Sequence, residues 1–463
     1  MKNFFKKRLI SFITLLLTLA MTVSVLSSCG IIGNLIDSVI PVEVGTKEEI
    51  LAEIDATLTG GGKAYDEVEE YLHLWSLPRY DRVKFGYFEL CFNQLYNLEG
   101  GLPEVLTHAA DTAKLFVEHY YDTVNHDDKT AVTDALLYCY VELVGDPYSV
   151  YRPPVEADEF TDEMSGKFGG IGVMVEYNHT EESIMVNTVY PESPAEAAGM
   201  KVGDYIYAID GKTVEEIGYL NAVYHIRGEI GTTVDITVVR GGEFVTVTAT
   251  RAEVEEINVE SDFDPETGIA YVYIVSFKEN TFPQFQAAVD ELMALDPKGF
   301  IFDLRNNPGG YVESVCDVIS YIVPTGHTIL SYQYKGREEM MRKSYDQNGE
   351  DHVIDLPMTI ICNEYTASAG EIFTSAIRDY RDEGILNATI VGTNTFGKGI
   401  MQATYPYSDQ STVTLTVSYF NPPCGVNYHG IGITPDVIVN PIAGEDIQLL
   451  TAYAELKELI NNK

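Results

Sequence analysis

Basic residues are scarce. Lys and Arg number 30 in 463 residues against 70 Asp and Glu, a net charge of −40. A surface this acidic repels phosphate backbones, which excludes nucleic acid, or anionic lipid held through a basic patch, as a partner. Cysteine is scarce too, with six residues and no pair at C-x-x-C spacing. That excludes a zinc ribbon and a stapled miniature fold. The nine His are dispersed and contain no H-E-x-x-H pair, so neither a metal site nor a cofactor is implied. The balance, 45% apolar and 22% charged residues, is that of ordinary globular domains, at a length suited to about three of them.

The one long apolar run is at the start. Lys2, Lys6, Lys7 and Arg8 precede an apolar stretch from Leu9 to Leu26 broken only by Ser and Thr. This is the pattern of a secretory signal peptide, with a membrane-spanning anchor as the alternative. Its ending, Leu26-Ser27-Ser28-Cys29-Gly30, decides between them. It resembles the bacterial lipobox, which implies cleavage before Cys29 and lipidation of that residue. The expectation is a signal peptide over 1–28, a tether over 29–45, and a chain held by acyl groups on the extracytoplasmic face of the membrane. The other five cysteines read as buried free thiols.

From Thr46 to Val144 the apolar spacing is helical, as in Ile50, Leu51, Ile54 and Leu58, then Ala110, Ala113, Phe116 and Val117, then Val132, Leu136, Leu137 and Tyr140. Gly60-Gly61-Gly62 and Gly100-Gly101 break this region, residues 46–150, into helical hairpins. Trp75 and the many Tyr here read as core packing. Between 166 and 252 the pattern becomes short strands and turns. The order is a glycine-rich loop (Gly169, Gly170, Ile171, Gly172, Val173), a strand, Ser193-Pro194-Ala195, Gly199-Met200-Lys201-Val202-Gly203-Asp204, and a strand ending in Asp210-Gly211. The series resembles a bacterial PDZ domain. The loop's N–H groups can hold a terminal carboxylate, and the strand after it can accept an extended peptide. Arg227 either bonds a peptide or the neighbouring domain, or stays solvated. From Ile257 onward strands alternate with helices, which predicts an α/β core over 253–463 completed by residues 145–165.

Two segments invite chemistry. Gly392 to Gly399 matches a P-loop except at its last position, where Gly399 replaces the Ser or Thr that would ligate Mg²⁺, so nucleotide binding is not expected. Ser368 lies at a strand-to-helix turn among Ala367, Ala369 and Gly370. Either it caps the helix, or the positive helix end supports charge developing on its hydroxyl. Its surroundings are not Gly-x-Ser-x-Gly.

Four motifs occur in order: Asp303 to Gly310, Thr366 to Ile372, Thr395 to Gln402, and Gly432 to Asp436. Together with the PDZ-like region they resemble the carboxy-terminal processing (tail-specific) serine peptidases. The fold this implies is a multidomain α+β chain: an N-terminal helical region, a PDZ domain and a crotonase/ClpP-like α/β peptidase core. The resemblance implies Ser368 as nucleophile, Lys398 as general base and Gln402 orienting the lysine. It places the oxyanion hole at Ala369 with the Gly309-Gly310 loop. A free lysine amine titrates near about 10.4, and an apolar pocket brings it toward about 7–8, where it can accept a proton. Phe396, Ile400 and Met401 are the expected walls. Gln402 would hold the amine without adding charge. The stretch Asn421 to His429 departs from the family's polar hairpin and puts rim contacts, not the dyad, in doubt. The implied partners are peptides with apolar or unstructured C-termini and, through the helical region, a second copy or an adaptor. A catalytically silent PDZ scaffold or an esterase are the competing readings; Ser368, Lys398 and Gln402 together favour the peptidase.

Overall fold

The structure is a computed structural model and describes residues 80–97, 112, 115–178, 183–346 and 353–462. The signal peptide, Cys29, the tether, Ile50, Leu51, Ile54, Leu58, Trp75 and the Gly60–Gly62 and Gly100–Gly101 breaks lie outside the described residues, as do Ala110 and the side chain of Ala113. Among the described residues no helix is long and apolar enough to cross a membrane. The chain divides into two compact units, residues 1–86 with 103–145, and residues 87–102 with 146–463.

In the first unit the helix Lys129–Val144 starts where Asp128 accepts the N–H groups of Thr130 and Ala131, and ends at Gly145 with φ +71°. An acidic N-cap and a left-handed glycine are the usual stops at those two ends. Val132, Leu136, Leu137 and Tyr140 are buried, the face the spacing predicts.

The second unit holds a β-rich module and an α/β core. In the module, strands Val173–Asn178, Ser183–Val189, Tyr205–Ile209, Thr233–Arg240 and Glu243–Thr250 pair in that order, all antiparallel. Ile184, Val186, Ile206, Ile236 and Val238 fill the inner face, while Asp204 is buried and held by Arg240 at 2.6 Å. The strand Val173–Asn178 lies at the sheet edge. A ribbon of Lys167–Gly170 with Ala252–Glu255 joins the chain entering the module to the chain leaving it.

The core sheet runs Val259–Asp264, Ile269–Ile274, Gly299–Asp303, Met358–Cys362, Ala388–Gly392, Val437–Ile438, parallel after its first pair. Helices cover both faces, so the central strands read as continuous apolar runs. Phe300 and Phe302 pack toward Phe285, Val289, Val315, Ile319, Phe373 and Ile377. Ile269, Ile301 and Ile361 pack against Ala452 and Leu456 of the last helix, Ile447–Asn461. A second sheet is built on Thr412–Asn421, which pairs with Val150–Arg152, Ile400–Pro406 and Thr328–Tyr332.

Three parallel strands end side by side, and the loops that leave them carry three of the four sequence motifs: 304–310, 363–368 and 393–399. In open α/β sheets that edge is where ligands gather. The segment after Gly392 passes into the strand Ile400–Pro406, not a helix, so the P-loop look-alike has no helix end to offer a phosphate. Cys91, Cys139, Cys316 and Cys362 are buried free thiols as expected; Cys424 is exposed, because it falls in the surface turn after Thr412–Asn421.

Candidate active site

Ser368 sits where the buried strand Met358–Cys362 turns into the helix Ala369–Asp382. Its backbone is at φ +53°, ψ −115°, a conformation that a residue with a Cβ adopts only under constraint. The turn is pinned from both sides. Thr366 donates its hydroxyl to the Leu304 carbonyl at 2.8 Å, and the Ala367 N–H donates to the Asn307 carbonyl at 2.9 Å. The helix is opened by Glu371, whose carboxylate accepts the Ser368 N–H at 3.0 Å. Sharp, strained strand-to-helix turns are how other folds present a serine hydroxyl, and this one is reached without the Gly-x-Ser-x-Gly sequence.

Glu371 is fully buried and does more than cap. One of its oxygens accepts the Thr395 hydroxyl at 2.5 Å and the Gly397 N–H at 2.7 Å. The other accepts the Ser368 N–H and, at 2.7 Å, the Lys398 N–H. Burial pushes its carboxyl up, and the four hydrogen bonds oppose that. Ser368 and Lys398 thus donate to one and the same oxygen, which brings two segments thirty residues apart in sequence into one site.

The Lys398 side chain is half-buried, and burial holds its amine below the ordinary lysine value against the pull of the Asp146 and Glu371 carboxylates. Its Nζ lies 4.5 Å from the centre of the Tyr148 ring. Among the described residues no hydrogen bond joins Nζ to the Ser368 hydroxyl; the two residues meet through their main-chain N–H groups at Glu371. Of the expected walls, Ile400 is buried and Met401 half-buried, but Phe396 is 55% exposed. The exposure of Phe396 has a simple cause. Gly397 and Lys398 turn inward to Glu371, while the Phe396 N–H is held by the Thr366 carbonyl on the preceding side.

Gly309 packs directly on the serine: a Cβ there would lie 2.7 Å from Ser368 Cβ and 2.9 Å from Ala369 N. Its N–H is already given to Asn307 Oδ1 at 2.9 Å, so Gly309 is not the loop's free donor. Gly310, with φ +140° and the Phe277 carbonyl 2.1 Å from a hypothetical Cβ, tolerates no side chain. Neither its N–H nor that of Ala369 donates to an acceptor among the described residues. A constrained serine, a partly dehydrated amine and two uncommitted N–H groups are the parts that acyl transfer requires.

Comparison with known proteins bears on this arrangement. Residues 268–439 match Peptidase family S41, and residues 169–250 match the PDZ domain. The carboxy-terminal-processing protease of Bartonella bacilliformis is 32% identical over 323 residues, 68% of this chain and 70% of that one. The chain belongs to peptidase family S41, among the carboxy-terminal processing proteases. The carboxy-terminal processing protease CtpA of Bacillus subtilis is 33% identical over 320 residues, 69% of this chain and 65% of that one. A CtpA-like serine protease of Staphylococcus haemolyticus is 31% identical over 325 residues, and the match spans 63% of its length. The crystal structure described as that of an S41 protease from Bacteroides fragilis has the same fold, with a TM-score of 0.51 at 14% identity over 81% of this chain and 97% of that one.

Within the S41 core, no hydrogen bond among the described residues joins Gln402 to the lysine amine. Its Nε2 donates to Thr416 Oγ1 at 3.1 Å, in the neighbouring strand, after a register shift between Met401 and Gln402. The divergent stretch 421–429 is not merely rim. Asn427 donates to the Gly399 carbonyl at 3.0 Å, and just beyond it the Gly430 N–H reaches the Gly397 carbonyl at 2.8 Å, so this segment clamps the lysine loop. In the PDZ domain, Gly170, Ile171, Gly172, Val173 and Arg227 line a groove between the edge strand and the helix Tyr219–Ile226, with Tyr219, Val223 and Ile226 opposite. The Ile171 and Gly172 carbonyls are taken by the Ala195 and Tyr190 N–H groups, whereas their own N–H groups meet no acceptor among the described residues. Gly169 stands outside the groove; its carbonyl accepts the Gly228 N–H, and a Cβ there would meet the Gly228 carbonyl at 2.1 Å. Arg227 lies over the Phe168 ring, 4.2 Å from its centre.

Sequence reasoning gave no role to Glu371, Asp146 or Tyr148. For Glu371 a signal existed: Ser-x-x-Glu ahead of an apolar run is a capping box. Asp146 and Tyr148 are local turn residues by sequence, and only the fold brings them to the lysine.

Replacing Glu371 by Gln sets an NH₂ group against N–H donors. Loss of about 2–3 kcal/mol of stability is expected from an urea unfolding curve, since the broken hydrogen bonds involve a buried charge; a midpoint equal to the parent's would contradict the clamp.

Proposed function

We propose that this chain is a membrane-tethered, extracytoplasmic serine endopeptidase that takes the C-termini of protein substrates in its PDZ groove and cleaves them with Ser368 and Lys398. What supports the reading is the Glu371 oxygen that accepts both the Ser368 and the Lys398 main-chain N–H groups, together with the strained serine backbone and an amine that burial holds below its ordinary pKa. In the reaction the neutral amine takes the Ser368 proton as Oγ attacks the scissile carbonyl. The oxyanion receives the Ala369 and Gly310 N–H groups. The lysine then gives its proton to the leaving amine, and water, deprotonated by the same amine, hydrolyses the acyl-enzyme. Gln402 acts at one remove, steadying the strand that follows the lysine through Thr416. Arg227 and the free Ile171 and Gly172 N–H groups would receive the substrate carboxylate. The tether is the acylated Cys29, which two or three acyl chains would anchor stably at about 0.8 kcal/mol per buried CH₂.

The test uses the detergent-solubilised chain and a peptide ending in apolar residues. Ser368→Ala and Lys398→Ala should each cut at least about 10²-fold more slowly than the parent. Unaltered cleavage by both would overturn the dyad; binding of the peptide with no cleavage by the parent would replace it with the silent scaffold. Cys29→Ala should move the chain from the membrane fraction to the soluble fraction, and retention in the membrane would refute the lipid anchor.

A further inference from the structure

The lysine amine has a neighbour that the acyl-transfer steps do not use. Tyr148 presents its ring to Lys398 Nζ at 4.5 Å from the centroid, within the range at which an aromatic face attracts an ammonium ion. The turn that carries the ring is held by hydrogen bonds. Asp146 accepts the Tyr148 N–H at 3.0 Å with one oxygen and the Ser149 hydroxyl at 2.6 Å with the other. Pro147, at the second position of the turn, fixes its own φ. Ser149 Oγ in turn accepts the Thr416 N–H at 3.2 Å, from the residue whose hydroxyl receives Gln402. Asp146 and Ser149 are buried, and the chain runs straight on into the strand Val150–Arg152 against Thr412–Asn421. The turn is therefore fastened to the sheet that also carries the strand following Lys398.

We infer that Tyr148 is a positioning residue for Lys398: its ring face holds the amine in its pocket and, together with the Asp146 and Glu371 carboxylates, sets the pH at which the amine gives up its proton. The inference rests on Lys398 serving as the base. Two opposing effects meet in one ring. As a cover it keeps water from the amine, which disfavours the charged form. As a π face it attracts the cation, which favours the charged form. The charged groups that act on the amine are Asp146 from the turn and Glu371 from the helix, and both favour the cation.

Substitutions can separate the two effects, because activity needs the neutral amine and the acid limb of kcat/KM reports its titration in the free enzyme. Tyr148→Phe keeps cover and π face, so its limb should coincide with the parent's. Tyr148→Leu keeps the cover and loses the π face, so its limb should move to lower pH by about half a pH unit or more. Tyr148→Ala admits water, so its limb should move to higher pH, with a drop of about tenfold or more in kcat/KM at pH 7. The experiment is a pH profile of peptide cleavage for the full chain and the three variants, with thermal unfolding run beside it. If Tyr148→Ala does not fold, the Leu arm decides alone. Superimposed limbs for Leu and parent overturn the inference, as does a Leu limb displaced to higher pH. A Lys398→Ala control as active as the parent would instead remove the base itself, an outcome the Tyr148 series cannot mimic.

Discussion

A single buried carboxylate organises this molecule. Glu371 has no solvent to satisfy it, and an ionised carboxylate in a dry interior is tolerated only when donors surround it. Its four donors are Ser368 N–H, Lys398 N–H, Gly397 N–H and the Thr395 hydroxyl. Each belongs to a segment that, by its own sequence, is a loop without regular structure. The electrostatic need of one side chain thus becomes the geometric rule that the serine turn and the lysine loop occupy one place. Thr395, whose oxygen also accepts the Ile433 N–H, extends the same rule to the Gly432-Ile433-Thr434-Pro435-Asp436 motif.

The lysine stands in the opposite electrostatic position. Its amine is disfavoured as a cation by burial, while Asp146, Glu371 and the Tyr148 face pull the other way. Burial wins, and the direction of the result is what base chemistry requires. The arrangement has a thermodynamic consequence. The native state binds fewer protons at this amine than the unfolded chain between the lowered and the ordinary pKa, so over that window this group's contribution to stability rises with pH, and below it a constant penalty remains. Strain at Ser368 and a dehydrated amine are both costs carried by the fold for the sake of the site, and both are offset by the close-packed sheet beneath.

Much of this was legible in the chain alone, for reasons that differ by element. The strands Gly299–Asp303 and Met358–Cys362 declared themselves because parallel strands covered on both faces are unbroken apolar runs. The helix at Ser368 was legible from the small residues that open it, and the PDZ domain from turns that need glycine at fixed places. Hidden were the properties that depend on side-chain direction. Phe396 looked like a pocket wall by adjacency to Lys398, yet neighbours on an irregular loop need not face the same way. Gln402, four residues after the lysine, would sit beside it on a helix; on a strand with a shifted register it turns to Thr416 instead. The Gly309 N–H was spoken for by Asn307, a local contact of two residues that no spacing pattern announces. Tyr148 and Asp146 act on the lysine across sequence distances of 250 and 252 residues, through the pairing of Val150–Arg152 with Thr412–Asn421.

The most direct test concerns the Lys398 amine itself. Protein prepared with ¹³Cε-labelled lysine, with Lys398→Arg to identify the resonance, can be titrated by NMR without substrate. The Lys398 midpoint should lie distinctly below the ordinary lysine value of about 10.4. A midpoint at or above that value would mean a solvated or ion-paired ammonium, and would contradict the claim that burial prepares this lysine to accept the proton of Ser368.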